Sequence, residues 1–141
     1  MSDIYVVYFS STGNTEEMAK HVADGIERKG GSPVLTEIGS VDPDRLKEAS
    51  AFALGCPACG AEELDESMET LIEEISGSLE GKHVGLFGSY GWGDGQWMRD
   101  WAKRTTKTGA NLYDDGLLVN GFPDADAKVQ CTAFGEGFGA Y

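Results

Sequence analysis

Hydrophobic positions along this chain alternate between two periods. Ile4 to Phe9 is a short β-branched and aromatic run of strand length, and after the polar stretch SSTGNT the apolar positions fall at Met18, Val22 and Ile26, with Ala19 and Ala23 beside them. The i, i+4, i+8 spacing marks one helical face, so the reading is strand, loop, helix. This helix opens near Asn14, where Asn14 and Glu17 have capping-box spacing, and ends before Gly30–Gly31. Pro33 to Ile38 reads as a second strand and Asp42 to Ala49 as a short helix. Ala51 to Gly55 reads as a third strand, followed by a helix with Met68, Leu71, Ile72, Ile75 and Leu79 on one face. Val84 to Gly88 forms a fourth strand, residues 97–107 a helix, and Ala110 to Val119 a fifth strand interrupted at Asp114–Asp115–Gly116. Ala127, Cys131, Phe134 and Phe138 stripe a final helix, whose late glycines should make its end fray.

Strands alternating with helices, with most strands apolar on both faces, indicate a parallel sheet covered on each side. The expected fold class is α/β, doubly wound, in one domain over residues 1–141, since no linker, repeat or low-complexity tract divides the chain. Ligands of such sheets bind beyond the carboxyl ends of the strands. That rule directs attention to the loops after strands one, three and four: SSTGNT, CPACGAEE and SYGWGDG.

SSTGNT places the hydroxyls of Ser10, Ser11, Thr12 and Thr15 and the amide of Asn14 around Gly13 at a helix entrance. Backbone N–H groups and the helix dipole favour an anion there, and hydroxyls complete its hydrogen bonds. The loop has no lysine and does not match G-x-x-x-x-G-K-[ST] or G-x-G-x-x-G, so a terminal monophosphate suits it better than a triphosphate. In SYGWGDG, Trp92 lies between Gly91 and Gly93, a placement suited to stacking on a planar ligand, with packing over the sheet end as the alternative. Tyr90 offers a second ring or a hydroxyl donor.

CPAC resembles the C-x-x-C of thiol–disulfide enzymes, but Glu62, Glu63, Asp65 and Glu66 follow closely and no cation lies in the loop, so Cys56 and Cys59 lack the electropositive setting of a reactive thiol. Cys131 lies on the apolar stripe of the last helix, and His21 and His83 read as surface or packing residues, which leaves too few soft ligands for zinc.

Composition sharpens these expectations. A chain of 141 residues buries roughly 70% of its unfolded surface and needs no staple. A formal charge of −13 opposes nucleic acid and anionic lipid and favours basic partners. Three cysteines without a pairing framework, no signal-like start and no apolar run of membrane length lead to the expectation of a cytoplasmic protein.

Three stretches together are recognisable: SSTGNTEEMA, LGC-x-A-x-G-x-E-x-L and GLFGSYGWGDGQWMRDW. Through them the chain resembles the short-chain flavodoxins, small electron-transfer proteins that carry non-covalent FMN. Flavodoxin itself exemplifies the rule about strand ends, so the rule and the resemblance are not independent. The resemblance implies a three-layer sandwich with a five-stranded parallel sheet in the order 2-1-3-4-5. It also implies that Ser10, Thr12, Asn14 and Thr15, with the Ser11 and Gly13 amides, hold the phosphate. Pro57, Ala58 and Cys59 would floor the ring, Gly60 would turn its peptide on reduction to accept from flavin N5–H, and Glu62 would bond the polar edge. Trp92 would stack on the solvent side, with Ser89, Tyr90, Gly91 and Gly93 shaping that loop. The chain departs from family habit at Cys59, where a methionine or large aromatic is common, at Ala61, and at Asn120–Gly121–Phe122.

The implied role is a low-potential one-electron carrier shuttling between semiquinone and hydroquinone. Its partners would be ferredoxin/flavodoxin-type oxidoreductases with basic docking patches, and it would act as a monomer. An FMN-dependent reductase, a thiol–disulfide oxidoreductase using Cys56 and Cys59, and a flavin-free binding domain are the alternatives.

Overall fold

The computed structural model describes residues 3–60 and 62–141; Ala61 lies outside the described residues. Strands β1 (Asp3–Tyr8), β2 (Ser32–Glu37), β3 (Ala51–Gly55), β4 (His83–Tyr90) and β5 (Asn111–Asn120) alternate with helices α1 (Asn14–Arg28), α2 (Pro43–Glu48), α3 (Glu66–Ile75), α4 (Gln96–Lys107) and α5 (Ala125–Gly139). All strand pairs are parallel, in the order β2-β1-β3-β4-β5. The expected doubly wound α/β sandwich is therefore present.

The two-residue period of the strands divides their side chains between two cores. Val7, Phe52, Leu54 and Leu86 pack with Leu46 of α2, Met68, Leu71, Ile72 and Ile75 of α3, and Trp97 and Trp101 of α4. Their neighbours Val6, Ala53 and Phe87 face Met18, Val22 and Ile26 of α1 and Cys131, Phe134 and Phe138 of α5. Leu79 lies beyond α3, past a 3₁₀ turn, yet is buried with the first group.

Four local features differ from expectation. Asn14 is the first residue of α1 rather than its cap: Gly13 is the cap, at φ 94°, and the Ser10 hydroxyl oxygen accepts from the Gly13 and Glu16 N–H groups at 3.1 and 3.2 Å. Glu17 does not complete a capping box; its carboxylate bonds His21 at 3.2 Å. β4 continues through Ser89 and Tyr90, which pair with Val119 and Asn120, because strand pairing outweighs the loop-like composition of SYG. β5 continues past its expected interruption. Asp114, Asp115 and Gly116, at φ 52°, 55° and 96°, bulge opposite Leu86, since Gly85 pairs with Tyr113 and Phe87 with Leu117.

The late glycines of α5 have a packing role. A Cβ at Gly135 would collide with the Val22 carbonyl oxygen, and one at Gly25 with that of Thr132. The two helices thus touch backbone to backbone, and α5 runs helical to Gly139.

Candidate functional site

Three of the loops at the carboxyl ends of the strands converge through named bonds. After β1, Phe9 N–H donates to the Gly55 carbonyl at 2.9 Å, which sets the path into the polar loop. Ser10 turns inward, its hydroxyl accepting from the Gly13 and Glu16 N–H groups, while Ser11 and Thr12 are exposed. The Asn14 and Thr15 N–H groups find no acceptor among the described residues, and neither do the side chains of Ser11, Thr12 and Asn14 make a bond there. Nothing lies within 4 Å of where a Cβ on Gly13 would sit. These are open donors at the positive end of a 15-residue helix, the arrangement that binds a phosphate. Thr15 sits differently from its neighbours: it is buried, with its hydroxyl 3.0 Å from that of Ser89, itself buried. That pair ties the start of α1 to the end of β4.

After β3, the chain stays beside β4 for three more residues, with Cys56 N–H donating to Phe87 and Ala58 N–H to Ser89, both at 3.0 Å. The Trp97 indole N–H anchors the Cys56 carbonyl at 3.2 Å. Cys59 and Glu63 then exchange two backbone bonds of 2.8 Å, closing a tight hairpin. At its tip Gly60 is exposed, at φ 51°, with open space where a Cβ would be. Glu62 is also left-handed, at φ 57°, a conformation that costs a non-glycine residue about 1 kcal/mol.

Glu62 is held by what it reaches. Its carboxylate accepts from the Gln96 N–H at 3.0 Å, at the N-terminus of α4. Gly95, the α4 cap, offers no side chain for the purpose, so Glu62 caps the helix from another loop, where the dipole favours its charge. A Cβ on Gly93 would collide with this carboxylate. The glycine therefore lets the hairpin and the loop after β4 approach each other, an interaction the sequence did not suggest.

After β4, Tyr90 is half-buried, its ring 5.6 Å from that of Trp97. Gly91, Trp92, Gly93 and Asp94 are exposed. Trp92 is 57% exposed and is not packed over the sheet, so its ring is free to meet a ligand. Pro57, Ala58 and Cys59 are half-buried between the polar loop and the tryptophan loop.

The cysteines do not form the site of a thiol enzyme. Cys56 is fully buried, and burial pushes its thiol far above the ordinary range. Burial, followed by the charge of Asp65, also raises the Cys59 thiol. Both sulfurs lie 3.5 Å from the Pro57 carbonyl oxygen. Cys131 is buried on α5, its thiol pushed up to about 12. No group of three or more metal-ligating side chains occurs among the described residues, and no described helix is long and apolar enough to cross a membrane.

An anion cradle at a helix start, an exposed tryptophan and a glycine-tipped hairpin between them stand at the switch point of a doubly wound sheet, where such folds bind their ligands. The family model described as Flavodoxin matches residues 6–135. A flavodoxin of Clostridium beijerinckii is 45% identical over 132 residues, covering 93% of this chain and 95% of that one. A flavodoxin of Megasphaera elsdenii is 39% identical over 134 residues, covering 94% and 96%. The solution structure of two-electron reduced Megasphaera elsdenii flavodoxin superposes with a TM-score of 0.88 at 37% identity, covering 98% of this chain and 99% of that one. The chain belongs to the flavodoxin family, whose members bind FMN and carry electrons between redox partners.

Proposed function

We propose that this protein is a low-potential one-electron carrier whose bound FMN cycles between semiquinone and hydroquinone. The observation that carries the reading is the placement of Trp92, exposed, across the Gly60 hairpin from the open donors at the start of α1. FMN supplies reversible one-electron chemistry, and the protein supplies orientation and electrostatics.

Each residue group has a proposed task. Ser11, Thr12, Gly13 and Asn14 hold the terminal phosphate. Ser10 Oγ already accepts two backbone N–H groups, so its own proton is left to donate to a phosphate oxygen. Thr15 offers its backbone N–H, while its hydroxyl braces Ser89. Pro57, Ala58 and Cys59 floor the ring, and Tyr90, Gly91, Trp92 and Gly93 wall its outer side. Gly60 would turn its carbonyl toward the ring to accept a hydrogen bond from flavin N5–H, because glycine changes φ without steric cost. Glu62 Oε1 is taken by Gln96, leaving Oε2 for the polar edge of the ring.

Glu62, Glu63, Asp65 and Asp94 surround this region with negative charge, which opposes adding another charge to a partly dry site. The same carboxylates steer basic redox partners into brief, salt-sensitive complexes. A one-domain monomer acting in the cytoplasm is the setting that fits this role.

Reductive titration with dithionite, followed by visible spectroscopy, tests the reading. The expected result is a yellow protein that passes through a long-wavelength blue intermediate before bleaching. A protein that takes up no FMN, or that bleaches in one step, refutes it.

A further inference from the structure

The loop after β5 reaches the same end of the sheet, yet none of its residues has a part in the cofactor site described above. Asn120 pairs with Tyr90, and the next residue, Gly121, donates its N–H to the Tyr90 carbonyl at 2.9 Å. Two residues beyond those paired positions stand Trp92 on one loop and Phe122 on the other. Phe122 is 58% exposed, comparable to Trp92.

The residues that follow Phe122 are anchored. Pro123 beside it is buried, Asp124 caps α5 through the Ala127 N–H at 2.8 Å, and the Lys128 ammonium lies 5.6 Å from the ring centroid. The Lys128 ammonium is within cation–π range of the ring, and more than half of the side chain is left to solvent. An aromatic side chain with only two rotatable bonds loses little freedom when it is covered, which favours such residues at interfaces.

Charge around the ring indicates what would cover it. Glu63, Asp94, Asp124 and Asp126 are exposed at this end of the molecule. The nearby cations are already engaged: Arg99 bonds Asp94 at 3.0 Å, and Lys128 lies 3.9 Å from Glu17. A second copy of the chain is a poor occupant, because two molecules of charge −13 repel.

We propose that Phe122, on the loop next to that of Trp92, is the apolar anchor of a docking surface for a redox protein presenting an apolar patch ringed by Lys and Arg. The proposal rests on the carrier reading and divides the labour within it. The carboxylates govern encounter and its salt dependence, while Phe122 governs how long the complex lasts.

The test uses the FMN-loaded, reduced protein and two acceptors: cytochrome c, a basic haem protein, and a small neutral benzoquinone. Phe122→Ala is expected to weaken the complex with cytochrome c about tenfold. The salt slope, the rate to benzoquinone, the FMN affinity and the flavin potential should stay at wild-type values. Phe122→Leu should recover part of the loss, and Asp94→Asn should lower the salt slope. If wild-type protein transfers to cytochrome c and Phe122→Ala does so with equal affinity, the anchor is refuted while the carrier reading stands. An equal loss toward benzoquinone refutes it too, because Phe122 would then act on the cofactor. If the wild-type protein shows no salt-dependent transfer to cytochrome c, the basic-partner reading itself falls, and the anchor with it.

Discussion

Replacing Trp92 with alanine separates function from folding, because the fold makes little use of this side chain. Trp92 is 57% exposed, and its ring stacks on no other aromatic among the described residues. A tryptophan presents up to ~250 Å², so with that exposure roughly 140 Å² remains in solvent. A planar ligand laid on one face covers roughly half of it, or ~70 Å², worth roughly 1.8 kcal/mol at ~25 cal/mol per Å². Stacking geometry adds ~0.5–1.5 kcal/mol. Trp92→Ala should therefore weaken FMN binding by roughly 45- to 250-fold, while the stability of the FMN-free protein changes by no more than ~0.5 kcal/mol. Fluorescence titration of apoprotein with FMN measures the first quantity and urea unfolding of the same apoprotein the second. An FMN affinity within about threefold of wild type would show that Trp92 does not stack on the flavin. A loss of apoprotein stability beyond ~1 kcal/mol would show that the side chain supports the fold after all.

Glu62→Ala should cost about 1 kcal/mol of stability by uncapping α4 and speed hydrogen exchange at the Gln96 amide, whereas Glu62→Gln keeps an acceptor and should lose less; unchanged exchange in Glu62→Ala would remove the capping role. Gly25→Ala and Gly135→Ala should each destabilise by ~3 kcal/mol in urea unfolding, although alanine is the better helix former by ~1 kcal/mol, because the added methyl meets backbone across the α1–α5 contact. A stabilising result at either glycine would contradict that contact. Unfolding midpoints should fall as pH rises above 9, since Cys56 and Cys131 stay protonated in the fold beyond the 9.0 of an unperturbed thiol. The unfolded chain then binds fewer protons, so stability decreases with rising pH toward about 12 for Cys131. Cys131→Ala should flatten that fall.

Both cores were legible in the chain because alternation along a strand and the i, i+4 stripe of a helix are local properties. Val6 and Val7 point to opposite cores as the period requires, and all five apolar positions assigned to the third helix stripe are buried. Strand order was not legible from periodicity, which carries no information on which strands are neighbours; it came with the resemblance. The α1–α5 contact was missed because it depends on how two distant helices cross, and Gly25 reads locally as a weak spot in a helix. Ser10 was read as a phosphate ligand and not as a cap, because the left-handed turn at Gly13 that brings its oxygen back to Glu16 is not encoded in spacing alone. Likewise Glu62 and Gln96 are 34 residues apart, beyond any local pattern.

Among the described residues of the hairpin closed by Cys59 and Glu63, Gly60 is the one with open space where a Cβ would sit. Cys59 and Glu63 are fixed to each other by two backbone bonds, and Glu62 is fixed to α4 through its carboxylate. Between these anchors Gly60 has solvent on its open side and a φ that needs no side chain to be absent for packing reasons. If all of the hairpin were loose, turning one peptide would carry a large ordering cost; if none of it were, the peptide could not turn. On the proposed reading, the anchors at Cys59 and Glu62 would localise a peptide turn to the neighbourhood of Gly60, where its carbonyl would accept a hydrogen bond from the ring. The cysteines serve the same end, Cys56 sealing the strand end and Cys59 closing the hairpin, and their raised thiols leave them as structure rather than as reagents.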